Sequence, residues 1–106
     1  MLHPIKIINR HHKGPKGEYI GRGSPLGNPF PITEALPRLQ AIAKYKVWLQ
    51  AKMDEQDPVV IKELTRLYVL AEKQPIALEC FCYPKPCHGE IIRRALTLAS
   101  EVQDEA

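Results

Sequence analysis

Ile76-Ala77-Leu78-Glu79-Cys80-Phe81-Cys82 follows Pro75 and runs into Tyr83-Pro84-Lys85-Pro86. Its apolar and aromatic character, held between two proline breaks, reads as an interior strand. Cys87-His88-Gly89 comes next, and a helical pattern then runs from about Glu90 to Ser100 with Ile91 or Ile92, Ala95 or Leu96, and Ala99 facing inward. A late interior strand leading into a helix makes an all-helical bundle a poor account of the chain.

Working upstream, Asp57-Pro58 is a helix start, because Asp caps and Pro suits the first helical position. Ile61, Leu64, Leu67 or Tyr68, and Ala71 form the expected buried stripe, which stops before Pro75. An earlier helix is expected from a cap at Thr33, with Pro37 either tolerated near its start or shifting that start a few residues. Leu39, Ile42, Tyr45 or Lys46, and Leu49 recur at helical spacing beside Trp48, so Tyr45 and Trp48 read as packing residues. Ile5-Lys6-Ile7-Ile8-Asn9 reads as a first strand. Arg10 to Gly17 reads as an exposed basic loop, and Glu18-Tyr19-Ile20-Gly21 as a short edge strand. The order β-β-α-α-β-α predicts an α/β fold, a small single-layer sheet with flanking helices. Residues 1–106 are expected to be one domain, with 1–4 and 101–106 as flexible ends.

Composition narrows the function class. The chain has 106 residues, 44% of them hydrophobic and 25% charged, as in an ordinary globular domain. Its formal net charge of +3 admits an anionic ligand but lacks the basic footprint of a dedicated nucleic-acid binder. No apolar run approaches the roughly 20 residues that span a bilayer, so no membrane partner is expected. Without a signal-like start the expected location is the cytoplasm, where the three cysteines would be reduced. Their odd number also argues against a closed disulfide framework.

Cys80 to Gly89 carries the first candidate chemistry. On an extended strand Cys80 and Cys82 share a face, with Phe81 on the other. Cys87 and His88 precede a helix whose leading N–H groups favour a thiolate. His88 or Glu90 is a candidate proton carrier. Three readings stay open. Cys82, Cys87 and His88 form a catalytic or ligand site; or Cys80, Cys82, Cys87 and His88 bind zinc, without the usual paired C-x-x-C knuckles. In the third, Cys80, Cys82 and Cys87 are packing residues and His88 is a cap.

Gly21-Arg22-Gly23-Ser24-Pro25-Leu26-Gly27-Asn28-Pro29-Phe30 carries the second. Gly21, Gly23 and Gly27 allow close backbone approach and an anion-binding nest. Arg22 suits phosphate or carboxylate, Ser24 adds a hydroxyl, and Asn28 adds an amide that reads a polar edge. The spacing fits neither the P-loop nor the dinucleotide fingerprint. A Pro-stiffened turn with Phe30 in the core is the plainer alternative. His11-His12 and Arg93-Arg94 are weaker candidates, read as solvated charges. Both unusual segments follow predicted strands, which puts them where open α/β sheets gather ligands.

Together, Tyr19 to Phe30 and Cys80 to Gly89 resemble a small uncharacterised domain family found widely in bacteriophages and bacteria. Its members carry a Gly-Arg-x-Ser-x-x-Gly-Asn-Pro-Phe loop and a late Cys-x-Cys…Cys-His-Gly segment. The likeness covers nearly the whole chain, including Lys44-Tyr45-Lys46-Val47-Trp48-Leu49 between the motifs. It implies a compact α/β domain in a phage or prophage setting, hence host-cell cytoplasm, with no established reaction or cofactor. The late motif is also similar to that of another uncharacterised α/β family ending in Cys-His-Arg, where this chain has Gly89. The expected function is binding, and potentially transformation, of a small anionic, nucleotide-like ligand. The alternatives are a non-catalytic protein that binds nucleic acid or a host protein through the loop from Arg10 to Lys16, and a zinc-stabilised module.

Overall fold

The computed structural model describes residues 1–11, 13, 14 and 16–105. Its elements are β1 (Ile5–Asn9), β2 (Glu18–Tyr19), α1 (Arg38–Asp54), α2 (Pro58–Lys73), β3 (Ile76–Cys80) and α3 (Gly89–Glu105). The order is the one read from the sequence, and the fold is α/β. β3 lies at the centre of a three-stranded sheet ordered β1-β3-β2, with both pairings parallel. Ile5 pairs with Ile76, and the register runs to Asn9 opposite Cys80. Parallel pairing brings all three carboxyl ends to one edge.

Alternation along β3 divides the sheet into unlike faces. Ile76, Leu78 and Cys80 join Ile7 in one core cluster with Tyr45, Leu49, Leu64, Leu67, Ile92 and Leu96 from the helices. Ala77 and Glu79 point the other way, where the segment joining β1 to β2 closes over them. A Cβ on Gly17 would lie 2.6 Å from the Ala77 carbonyl oxygen, so the crossing needs glycine there. Glu79 is only 2% exposed. Its carboxylate accepts from Arg10 Nη1 at 2.9 Å and from the Gly17 N–H at 2.9 Å. A buried carboxylate is tolerated because both oxygens are partnered.

α2 begins as expected, with Asp57 accepting from the N–H groups of Val59 and Val60. α1 begins later than the Thr33 reading. Thr33 instead closes a preceding turn by accepting from the Leu36 N–H at 3.0 Å, and Pro37 leads into the helix without a side-chain cap. The inward stripes are Ala41-Tyr45-Leu49 in α1 and Val60-Leu64-Leu67-Ala71 in α2. Leu39, expected inside, is 70% exposed. In α3 the buried positions are Gly89, Ile92, Leu96 and Ser100, so Ala99 faces out, and the helix continues past Ser100 to Glu105. Among the described residues no helix is long and apolar enough to cross a membrane.

Tyr45 is fully buried and donates its hydroxyl to the Leu26 carbonyl at 2.8 Å. Burial pushes its phenol well above the ordinary range, so it stays protonated and a donor. Tyr45→Phe should lower stability in urea by about 1–2 kcal/mol, because a buried carbonyl loses its donor. No measurable change in the unfolding midpoint would show that this bond does not clamp the loop.

Candidate functional site

The glycine loop leaves the sheet after Tyr19 and folds on itself. The Ser24 N–H and hydroxyl both donate to the Gly21 carbonyl, the hydroxyl at 2.7 Å, and the Gly27 N–H donates to the Ser24 carbonyl at 3.1 Å. A Cβ on Gly27 would meet the Gly21 carbonyl oxygen at 2.6 Å, and Gly23 holds φ +89°, so the double turn requires glycine at both. Leu26 turns inward beneath it and is buried. Asn28 Oδ1 accepts from the Phe30 N–H at 2.8 Å, and the Tyr19 hydroxyl donates to the Arg22 carbonyl at 2.9 Å. The N–H groups of Ser24 and Gly27, expected to line an anion nest, are thus used within the loop. Arg22 remains exposed.

The Cys-His segment is held from the neighbouring strand. Asn9 Nδ2 donates to the carbonyls of Phe81 and Tyr83, at 3.2 and 2.8 Å, as the chain turns beyond β3. β3 ends at Cys80, so Cys82 lies beyond the strand and is only half-buried, where one strand face was expected to carry both. Phe81, expected to pack on the opposite face, is 53% exposed and meets the rings of Tyr19 and His11 instead. The sulfur partner of Cys87 is Cys80, with the two Sγ atoms 3.3 Å apart.

The two thiols are close enough to share a hydrogen bond. The Cys87 thiol donates to Cys80 Sγ, and the N–H groups of Tyr83 and Cys82 and the charge of Arg38 add to it, holding Cys80 below the ordinary thiol range against the cost of burial. Donating to Cys80, together with burial, pushes Cys87 upward, although the Gly89 N–H lies 3.3 Å from its sulfur. Of the two sulfurs, Cys80 is thus the one whose thiolate is favoured, with Cys87 beside it as the thiol.

His88 is buried, with Nε2 2.6 Å from the Ile20 carbonyl. A carbonyl only accepts, so Nε2 carries the proton and Nδ1 is left with its lone pair. Its ring lies against Tyr45 at 4.9 Å between centroids. Burial lowers its pKa, and the bond to Ile20 opposes that only in part. Gly89 makes this junction fit, since a Cβ there would approach Ile20 Cδ1, Ile7 Cδ1 and Cys87 Sγ at 3.0, 3.1 and 3.2 Å.

Loop, turn and the start of α1 enclose a cavity of about 350 Å³ at the carboxyl edge of the sheet. Tyr19, Phe30 and Phe81 supply rings, Arg22 and Arg38 supply cations, and Cys80, Cys82, Cys87 and His88 lie along one wall. Gly21 and Asn28 also reach it, whereas Gly23, Ser24 and Gly27 line a shallower hollow on the outside of the loop. Arg38 was not among the residues singled out in the sequence. It stands at the start of α1 and donates to the Pro86 carbonyl at 3.1 Å, linking α1 to the Cys-His turn. Its adjacency to a helix start was the available signal.

Several other candidates sit elsewhere. Glu90 is exposed and pairs with Arg93, which also donates to the Ile5 carbonyl at the amino edge of β1, so neither lines the cavity. Lys16 lies at that same edge with Lys6 and Glu18. His12 is outside the described residues. Among the described residues, no group of three His, Cys, Asp or Glu side chains is gathered as a metal set would be.

Residues 7–98 match the family described as a domain of unknown function, DUF4326. The chain belongs to that family. No curated protein and no solved structure matches it. The DUF4326 match takes in both motifs, both arginines of the cavity and all three cysteines, so the site lies wholly inside the shared domain.

The lowered pKa of His88 has a pH consequence. An unfolded histidine titrates near 6.5, and the folded one titrates lower. Between those values the unfolded chain binds the extra proton, so this contribution to stability is complete above about pH 6.5 and is lost as pH falls toward the folded value. Urea midpoints should decline from pH 7 to pH 5, and His88→Gln should flatten that decline. An unchanged slope in the variant would refute a buried neutral imidazole.

Proposed function

We propose that this domain binds a small phosphate-bearing ligand with a flat or apolar part, of nucleotide type, in the cavity at the carboxyl edge of the sheet. One observation carries the reading. Two arginines from separate elements, Arg22 and Arg38, line a ring-walled hollow that has no carboxylate in its wall. Guanidinium forks match phosphate oxygens, and aromatic walls suit a base or other planar group. The volume falls at the small end of the roughly 300–1,000 Å³ usual for ligand pockets, which suits a mononucleotide better than a dinucleotide.

Each wall then has a part. Arg22 and Arg38 hold the anion, Asn28 orients the ligand through the amide nitrogen that its own turn leaves over, and the rings cover its planar part. The Cys80 thiolate, with Cys87 beside it, is the nucleophile available for any transformation, in place of the Cys82–Cys87 combination expected from the sequence. The neutral His88 offers the Nδ1 lone pair as a proton acceptor. The reading takes the phage or prophage setting that the sequence resemblance implies, and with it a host-cell cytoplasm.

Thermal melts and calorimetric titrations against nucleoside mono- and diphosphates, sugar phosphates and inorganic phosphate test this directly. At least one should stabilise the protein, and Arg22→Ala and Arg38→Ala should each weaken its binding by about 10- to 100-fold, the scale of one charge-assisted bond. Stabilisation by none of them, or binding indifferent to both substitutions, would overturn the assignment.

A further inference from the structure

We propose that Cys80 and Cys87 form a reversible oxidation site, in which a small peroxide entering the cavity is reduced and the two sulfurs close into a disulfide. The geometry supplies both partners already in contact. Their Sγ atoms are 3.3 Å apart. A disulfide needs about 2.05 Å, so closure takes about 1.3 Å of travel in total. The exposed turn from Phe81 to Pro86 lies between the two cysteines and gives the ring room to adjust.

Access is selective. Cys80 and Cys87 are 1% and 4% exposed, yet both line the cavity. A peroxide is small enough to reach them from that side, whereas a bulky disulfide such as oxidised glutathione is not.

The chemistry assigns separate roles to the two sulfurs. Cys80 Sγ attacks one peroxide oxygen, forming an S–O bond as the O–O bond breaks. Hydroxide leaves to solvent, carrying away the negative charge that the thiolate brought. Cys87 Sγ then attacks the sulfenic sulfur of Cys80, forming the S–S bond as the S–O bond breaks. The released hydroxide combines with the Cys87 proton as water. Hydrogen peroxide is reduced and the two thiols are oxidised, two electrons in all. The N–H groups of Cys82 and Tyr83 favour the anionic form of Cys80, and the Gly89 N–H donates to Cys87 Sγ at 3.3 Å. Cys82 shares the cavity wall but has no sulfur partner among the described contacts, so it should be the bystander. The site stands independently of the ligand reading, because it needs only the cavity and the thiol pair.

The test uses the full reduced chain. Hydrogen peroxide is added, remaining thiols are blocked with N-ethylmaleimide, and the intact mass is read. A monomer that has lost two hydrogens and carries one maleimide is expected. All three cysteines fall in the tryptic peptide covering residues 74–93, because Lys85 precedes a proline. Fragmenting that peptide should place the maleimide on Cys82, and prior treatment with dithiothreitol should restore three labels. Cys82→Ser should cross-link as fast as the parent. A label on Cys80 or Cys87, a disulfide between chains, sulfinic acid without a cross-link, or no reaction at the excess that oxidises free cysteine would each overturn the assignment. The wild-type result decides alone if a cysteine variant fails to fold.

Discussion

The hydrogen bond from His88 Nε2 to the Ile20 carbonyl, 2.6 Å long and buried, joins the two segments from which the site is built. Ile20 is the last residue before the glycine loop, and His88 immediately precedes α3. Their contact fixes how far apart the loop and the Cys-His turn stand. The imidazole must carry a proton on Nε2 to make this bond, and burial favours the neutral form with that proton. Tyr45 extends the same chain of support, stacking on the His88 ring while its hydroxyl holds the Leu26 carbonyl. The loop is thus gripped at its entry by α3 and at its centre by α1. Gly89 permits this, since any larger residue would drive Ile7 and Ile20 away from Cys87.

The sheet contributes a second constraint. Two short parallel strands flank β3, and the segment between them must return across the sheet to run parallel. Its backbone comes too close for a side chain at Gly17 and leaves an N–H facing the sheet, which Glu79 accepts. The other Glu79 oxygen holds Arg10, whose guanidinium lies 4.4 Å from the Tyr19 ring centroid. A carboxylate in the middle of the central strand therefore serves the crossing. The same contacts seat Tyr19 where it walls the cavity.

The sequence disclosed those parts of the fold that depend on local chemistry. Asp57-Pro58 capped α2 where expected, because a carboxylate next to a proline has few other uses. α1 was harder. Its start depends on Pro37 alone, and its inward stripe runs through the small Ala41, while Leu39 and Val47 are exposed. Hydrophobicity placed Tyr45 and Leu49 correctly inside and misplaced only the first turn, where the small Ala41 and not Leu39 is buried. The expectation that Cys80 and Cys82 share a strand face met a different limit. The two-residue period holds only within a strand, and β3 stops at Cys80, where its partner Asn9 turns from backbone pairing to donating its side-chain amide to the next bend. Arg22 and Asn28 were legible from their glycine setting. Arg38 was not, because its place in the cavity comes from tertiary packing between α1 and Pro86.

One charge arrangement ties the thiols to the rest of the cavity. Arg38 is near enough to Cys80 to favour its thiolate, and it also lines the space assigned to an anion. A bound phosphate and the thiolate therefore draw on the same guanidinium. Anion binding neutralises part of the field at Cys80 and favours its thiol; loss of the thiolate, by protonation or by closure onto Cys87, removes a negative charge and favours the anion. Linkage makes the two effects equal in free energy. Arg22, supplied by the loop on the other side, bears on the anion without appearing among the charges that act on Cys80. In the proposed ligand site the two arginines thus differ in kind: Arg22 would serve the ligand alone, and Arg38 would couple the ligand to the sulfur.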